Sequence, residues 1–204
     1  MTIRIRHNAQ GGLAALALFV AALAGCGGGG PLSNPSTVAQ GTGATSQHLA
    51  FAYFQRCIDP IFTTQLPING STATNECAGS GCHNNTSGTG GALRIIPTAQ
   101  VVDVTNPANT TAVIQATDMY KNFYSAQGET IINNPDQSLL LNKPLLRNVL
   151  HGGGLVFPSV QDPHAQLIEY WITHPAPAGA DEFSTATYSM FTPPDPMNGT
   201  CNTN

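Results

Sequence analysis

The sequence predicts a mainly α-helical chain, one small domain built on a few short helices joined by long irregular loops and ending in tails. Three observations predict it. Apolar residues recur at helical spacing in separate segments, each bounded by a cap or a proline. The intervening stretches are rich in Gly, Pro, Asn, Thr and Ser, with 21 glycines and 15 prolines among 204 residues. Charged residues make up only 9%, so a staple or a cofactor is expected to help hold the folded part together.

Residues 47–58 read as the first helix. Ala50, Phe54, Cys57, Ile58 and Ile61 fall near one face, Ser46 can cap it, and Pro60 is expected to stop it. A loop over 63–76 leads to the segment Cys77–His83, and Gly90-Gly91-Ala92-Leu93-Arg94-Ile95 reads as a short extended piece. The second helix is expected over 111–127, with Val113, Ala116, Tyr120, Phe123 and Gln127 as its stripe and Gly128 at its end. Asp136 is expected to cap a short helix through Leu139, Leu140 and Leu141, which Pro144 ends. The last helix has Asp162 as N-cap and Pro163 as first residue, buries Leu167, Ile168, Trp171 and Ile172, and ends at His174-Pro175. From there to Asn204 the chain reads as an irregular tail, and no internal repeat is visible.

The N-terminus sets the compartment. A short basic region with Arg4 and Arg6 precedes an apolar run over 13–24, the pattern of a secretory signal and too short for a membrane span of about 20 residues. Leu23-Ala24-Gly25-Cys26 resembles the lipobox of bacterial lipoproteins. That resemblance implies a signal peptide over 1–25, acylation of Cys26 and a flexible tether over 26–45. An ordinary signal peptide with a chance cysteine is the alternative. Gly27 is not the Asp that resembles an inner-membrane retention signal, so a lipid anchor in the bacterial outer membrane is expected, facing the periplasm or the cell surface. Without Arg4 and Arg6 the chain keeps five Lys or Arg against eleven Asp or Glu, a formal charge of -6. No basic cluster points to nucleic acid.

Five cysteines remain to be assigned: Cys26, Cys57, Cys77, Cys82 and Cys201. Cys82 is followed by His83 in Cys77-Ala78-Gly79-Ser80-Gly81-Cys82-His83. The usual c-type haem attachment is C-x-x-C-H, in which two thiols add to the haem vinyl groups and the histidine binds iron. The spacing here is C-x4-C-H, which resembles a variant found in some multihaem cytochromes, and small flexible spacer residues can absorb the two extra positions. Cys57 and Cys201 are then left as a pair, for which a disulfide is the natural use outside the cytoplasm. Three alternatives stay open. Cys57 could bridge Cys77, leaving Cys82 as a single thioether and Cys201 free. The cysteines could form disulfides alone. A zinc site is the third, although no second C-x-x-C completes it.

The order of elements resembles small monohaem cytochromes c, in which the last helix crosses the first. Tyr53-Phe54 and Tyr170-Trp171 would sit near that crossing. Gly90-Gly91-Ala92-Leu93-Arg94, Ser138-Leu-Leu-Leu-Asn-Lys-Pro144, His151-Gly-Gly-Gly154 and the Tyr170-Trp171-Ile172 helix are similar to a planctomycete-type cytochrome-c-like domain, over about Leu49 to Ile172. The resemblance implies a cytochrome-c-like domain over 46–175 around one covalent haem c, held by Cys77, Cys82 and His83, with a tail over 176–204. His48, His151, His164, His174, Met119, Met190 and Met197 are candidates for the iron's other axial position. His151, 68 residues after His83 and just before the last helix, is favoured; a turn histidine bonded to backbone or to a haem propionate is its alternative. His151-Gly-Gly-Gly also matches an esterase oxyanion-hole motif, but no G-x-S-x-G elbow accompanies it.

The expected function is therefore electron transfer by a lipid-anchored monohaem cytochrome, with redox proteins as partners and no enzymatic activity. The competing readings are a haem enzyme or gas sensor with an open sixth position, and a cofactor-free structural lipoprotein stapled by disulfides.

Overall fold

Residues 47–69 and 71–204 are described by a computed structural model. The expected signal peptide over 1–25, Cys26, the tether over 26–45 and the cap Ser46 lie outside the described residues.

Helix α1 consists of an α-helical turn Phe51–Tyr53, a π-helical turn Phe54–Ile58 and a second α-helical turn Asp59–Phe62. Nearly every side of it is covered: Phe51, Tyr53, Phe54, Ile58, Ile61 and Phe62 are buried, and only Arg56 and Pro60 are exposed. A helix apolar on all sides belongs inside a fold rather than on its surface. Both of its expected ends move. Residues 47–50 are extended, and their carbonyls serve other partners: His48 O accepts from Ala176 N at 2.7 Å, and Ala50 O from Trp171 Nε1 at 3.0 Å. Pro60 does not stop the helix. Proline lacks the N–H an α-helix needs, and the π-helical turn before it, in which Asp59 N donates to Phe54 O, carries the chain past.

After α1, strands β1 (Leu66–Pro67) and β2 (Thr74–Asn75) pair antiparallel as a small hairpin. The second predicted helix is two: α2 (Thr111–Gln115) and α3 (Asp118–Gln127). Thr117 between them is extended, and its side chain accepts from Tyr120 N, capping α3. The helical phase restarts there, so the expected stripe is displaced. Val113 is 48% exposed, whereas Ile114, Met119, Asn122, Phe123 and Ala126 are buried. A 3-10 turn Pro135–Gln137 leads into α4 (Leu139–Asn142), with Ser138, not Asp136, at the N-cap position. Asp136 instead pairs with Arg147. Helix α5 (Pro163–Thr173) begins with Asp162 accepting from His164 N and Ala165 N, and buries Ile168, Trp171 and Ile172.

The C-terminal segment, expected to be irregular, is built into the domain. It holds a 3-10 helix Thr185–Met190 and an antiparallel pair, β3 (Phe191–Thr192) and β4 (Thr200–Cys201). Met190 and Phe191 are buried, and Cys201 is disulfide-bonded to Cys57 of α1.

Helices α1 and α5 meet through aromatic pairs: Tyr53 with Tyr170 at 5.5 Å between ring centres, and Phe54 with Trp171 at 5.4 Å. Polar side chains tie loops to this pair. Gln55 exchanges two hydrogen bonds with the backbone of Val102, at 2.9 and 3.0 Å. Asn122 does the same with Ile96, and its amide also donates to Asp59 Oδ1 at 2.9 Å. Among the described residues no helix is long and apolar enough to cross a membrane.

Burial pushes the Asp59 carboxyl up from 3.8 to about 6, and the hydrogen bond from Asn122 opposes the shift only in part. The folded value exceeds the unfolded one. Its contribution to stability is therefore full below about pH 4 and lost as pH rises through about 6, a swing on the order of 3 kcal/mol. Asp59→Asn keeps an oxygen for Asn122 and removes the charge. It should raise the melting temperature at pH 7 and flatten the decline in stability between pH 4 and 7; an undiminished decline in the variant would rule out Asp59 as its source.

Candidate functional site

The segment between β2 and the extended piece at 93–96 is a chain of turns. Gly79 N donates to Glu76 O at 3.0 Å, Cys82 N to Gly79 O at 3.0 Å, and His83 N to Cys77 O at 2.8 Å, so the four-residue spacer folds back and returns His83 beside Cys77. Its glycines are required. Gly81 has φ +79°, and a Cβ on Gly79 would lie 2.6 Å from Asn75 Oδ1. Ile95 N donates to His83 O at 2.8 Å, and Asn84 and Ile95 form an isolated parallel bridge. Arg94 N donates to Ser125 Oγ of α3 at 2.7 Å, so this helix holds the piece that holds His83.

His151 comes from the long loop between α4 and α5. Val156 N and Phe157 N both donate to Pro144 O, closing the loop's base. At its tip, Gly154 N donates to His151 O at 2.9 Å, and His151 Nδ1 bonds Gly154 O at 2.9 Å. His83 Nδ1 likewise meets Leu93 O, at 3.2 Å. A carbonyl only accepts, so each Nδ1 carries the proton and each Nε2 keeps its lone pair. A glycine also crowds each ring: a Cβ on Gly90 would lie 2.9 Å from His83 Nδ1, and one on Gly153 would lie 3.1 Å from His151 Cε1.

The two imidazoles are brought together. Their ring centres are 6.3 Å apart and their planes differ by 10°. Both border a cavity of about 580 Å³ that also touches Cys77, Cys82, Leu66, Ile68 and Val156. A smaller recess behind it shares His83, His151 and Cys77 and is floored by Ile61, Phe62, Leu93, Phe157 and Ile168. Lys143 sits at both, with Glu129 Oε2 3.8 Å from its Nζ.

Burial, first of all, holds the His83 imidazole below its ordinary value. The Leu93 carbonyl opposes this, and His151, Lys143 and Arg94 add to it. The neutral ring is the form that binds a metal. Cys77 and Cys82 are free thiols. Burial raises Cys77 to about 11, with Cys82 adding to the shift and a backbone N–H opposing it.

The other ligand candidates are engaged elsewhere. His48 faces Glu182, His164 faces Asp162, and His174 stacks on Tyr170 at 3.8 Å. Met119 and Met190 are buried in the apolar core, and neither borders the cavity; nor does Met197. Among the described residues no group of three or more His, Cys, Asp or Glu is placed to hold a bare ion. Two imidazoles are too few for such an ion, but they suit a metal whose remaining positions a bound ligand fills. Sequence reasoning missed the hairpin wall. Leu66, Ile68, Asn69 and Asn75 all border the cavity, and the Asn69-Gly70 dipeptide is a turn signal that could have found it.

In protein produced without haem attachment, Cys77 should alkylate slowly at neutral pH. Its rate should climb about tenfold per pH unit toward a plateau near 11, since the thiolate is the nucleophile; a rate already flat from pH 7 upward would contradict the burial argument. Comparison with family models, with characterised proteins and with solved structures finds no match to this chain.

Proposed function

We propose that this chain is an extracytoplasmic monohaem c-type cytochrome that transfers electrons and is not an enzyme. The observation that carries the proposal is the pair His83 and His151, near-parallel across a cavity bordered by two free cysteines. Two metal–nitrogen bonds of about 2 Å set end to end, plus roughly 1 Å from each nitrogen to its ring centre, place imidazole centres about 6 Å apart. The separation here is 6.3 Å.

Other features fit a haem as well. The cavity falls within the usual size range of ligand sites, and its apolar recess suits a macrocycle. Metal-binding histidines commonly donate their second nitrogen to a carbonyl, as both do here. In this reading Cys77 and Cys82 hold the group through thioethers, and His83 and His151 are its axial ligands. Bound haem supplies the one-electron couple of its iron. The chain's own residues fix the ligand rings, exclude water with Phe62, Phe157 and Ile168, and keep both imidazoles neutral. With both axial positions filled by side chains, small molecules have no open site, which favours a carrier over an enzyme or gas sensor. The N-terminal pattern ending at Cys26 supports a lipid anchor at the bacterial outer membrane, with redox proteins as partners.

Intact mass combined with an alkaline pyridine absorption spectrum tests this directly. The expected result is one haem, two thioethers and a lipid on Cys26. Cys82→Ala and His83→Ala should each abolish stable haem incorporation. His151→Ala should turn a low-spin spectrum high-spin and allow rapid carbon monoxide binding. A colourless protein from cells with active haem attachment would defeat the proposal.

A further inference from the structure

The hairpin that walls the cavity also touches the loop that presents His151. Asn69 has φ +53°, and its N–H donates to Gly153 O at 3.1 Å. Gly154 has φ +66°. A Cβ there would lie 1.7 Å from Asn69 Oδ1, 2.7 Å from its Cγ and 3.0 Å from its Cα. The last of these is backbone, so a rotamer change alone cannot relieve the conflict. Gly154 also supplies the carbonyl that accepts from His151 Nδ1 and the N–H that donates to His151 O. One glycine thus meets the hairpin on one side and orients the imidazole on the other.

We propose that Asn69 and Gly154 form a clasp between the β1–β2 hairpin and the His151 loop, and that this clasp positions His151 over the cavity. The inference rests on the haem reading above and adds to it the residues that keep the sixth coordination position filled. Nothing else in the loop does this work at its tip. The bonds of Val156 and Phe157 to Pro144 lie at its base, and Leu150 beside His151 is 92% exposed and gives no packing anchor. Leu146 and Asn148 have φ of +53° and +56°, conformations that side-chain-bearing residues hold only when the surroundings impose them. Opening the clasp frees the loop to swing His151 away while His83, held by Leu93 and Ile95 on a separate segment, stays in place.

The test uses the holoprotein. Gly154→Ala should convert a measurable fraction of the low-spin spectrum to high-spin and raise the carbon monoxide binding rate at least tenfold, with haem content unchanged. Adding Asn69→Gly removes the side chain that the new methyl meets while keeping the N–H. It should return the spectrum and the rate toward the parent. A low-spin parent with an equally low-spin Gly154→Ala variant overturns the clasp alone; a parent lacking a low-spin haem spectrum overturns the reading beneath it. If Gly154→Ala does not fold, amide hydrogen exchange in the parent decides. Slow exchange at Asn69 in an otherwise exposed turn supports the clasp, and exchange at the open-chain rate overturns it.

Discussion

Trp171 is the contact on which the rest of the molecule hangs. It is fully buried, packs its ring near Phe54 and Phe123, and donates its indole N–H to Ala50 O where the chain enters α1. Burying a tryptophan removes on the order of 200 Å² from water, worth about 5 kcal/mol. The bond to Ala50 satisfies the one polar atom that burial would otherwise strand. This contact aligns α5 with α1, and the cavity floor follows, since Ile61 and Phe62 come from one helix and Ile168 from the other. The disulfide from Cys57 to Cys201 acts on the same core, closing a span of 144 residues and setting β4 against α1.

The loops carrying the two histidines contain almost no regular structure, so their order comes from backbone hydrogen bonds and glycine contacts. The same device appears twice. Each imidazole gives its Nδ1 proton to a carbonyl of its own neighbourhood and lies against a glycine that could not carry a side chain. The carbonyl settles the tautomer, and the glycine limits how far the ring can tilt. His83 is the better buttressed of the two, since Arg94 N and Ile96 N are bonded to Ser125 and Asn122 of α3. His151 depends on its own turn and on the hairpin.

Legibility in the sequence tracked how local each cause is. Helix α5 could be read because its start is written in adjacent residues: Asp162 caps, Pro163 fits the first turn, and the apolar spacing runs without a break to Ile172. The Cys77–His83 segment was legible for the same reason, and the His151 loop was flagged by its run of glycines. What failed depended on distant partners. Residues 47–50 are extended because Ala176 and Trp171 use their carbonyls, 128 and 121 residues away in sequence. The break at Thr117 hid inside a plausible stripe, because a side-chain cap in mid-pattern resets the phase without a glycine or proline to mark it. The C-terminal segment looked irregular because its order comes from Cys57, Tyr53 and Gly199 rather than from periodicity: Tyr53 donates to Asn202 O, and Gly199 lets the β3–β4 turn close where a Cβ would meet Pro193 O at 2.4 Å.

The distribution of glycine connects these points to function. Helices α1 to α5 contain none, while Gly79, Gly81, Gly90, Gly153 and Gly154 surround the cavity. Each glycine costs more conformational entropy to order than any other residue, so a cavity lined in this way is expensive to hold in shape by protein contacts alone. That cost is tolerable where a bound group contributes to ordering the loops, because whatever binds only the folded state stabilises it. Covalent attachment at Cys77 and Cys82 would make that contribution permanent, and the exposed, apolar Leu150 at the cavity's edge then has a surface to lie against. A rigid helical pair, glycine-shaped loops and a tethered ligand are thus one solution to a single difficulty: placing two distant imidazoles face to face in a chain with few charges and short helices.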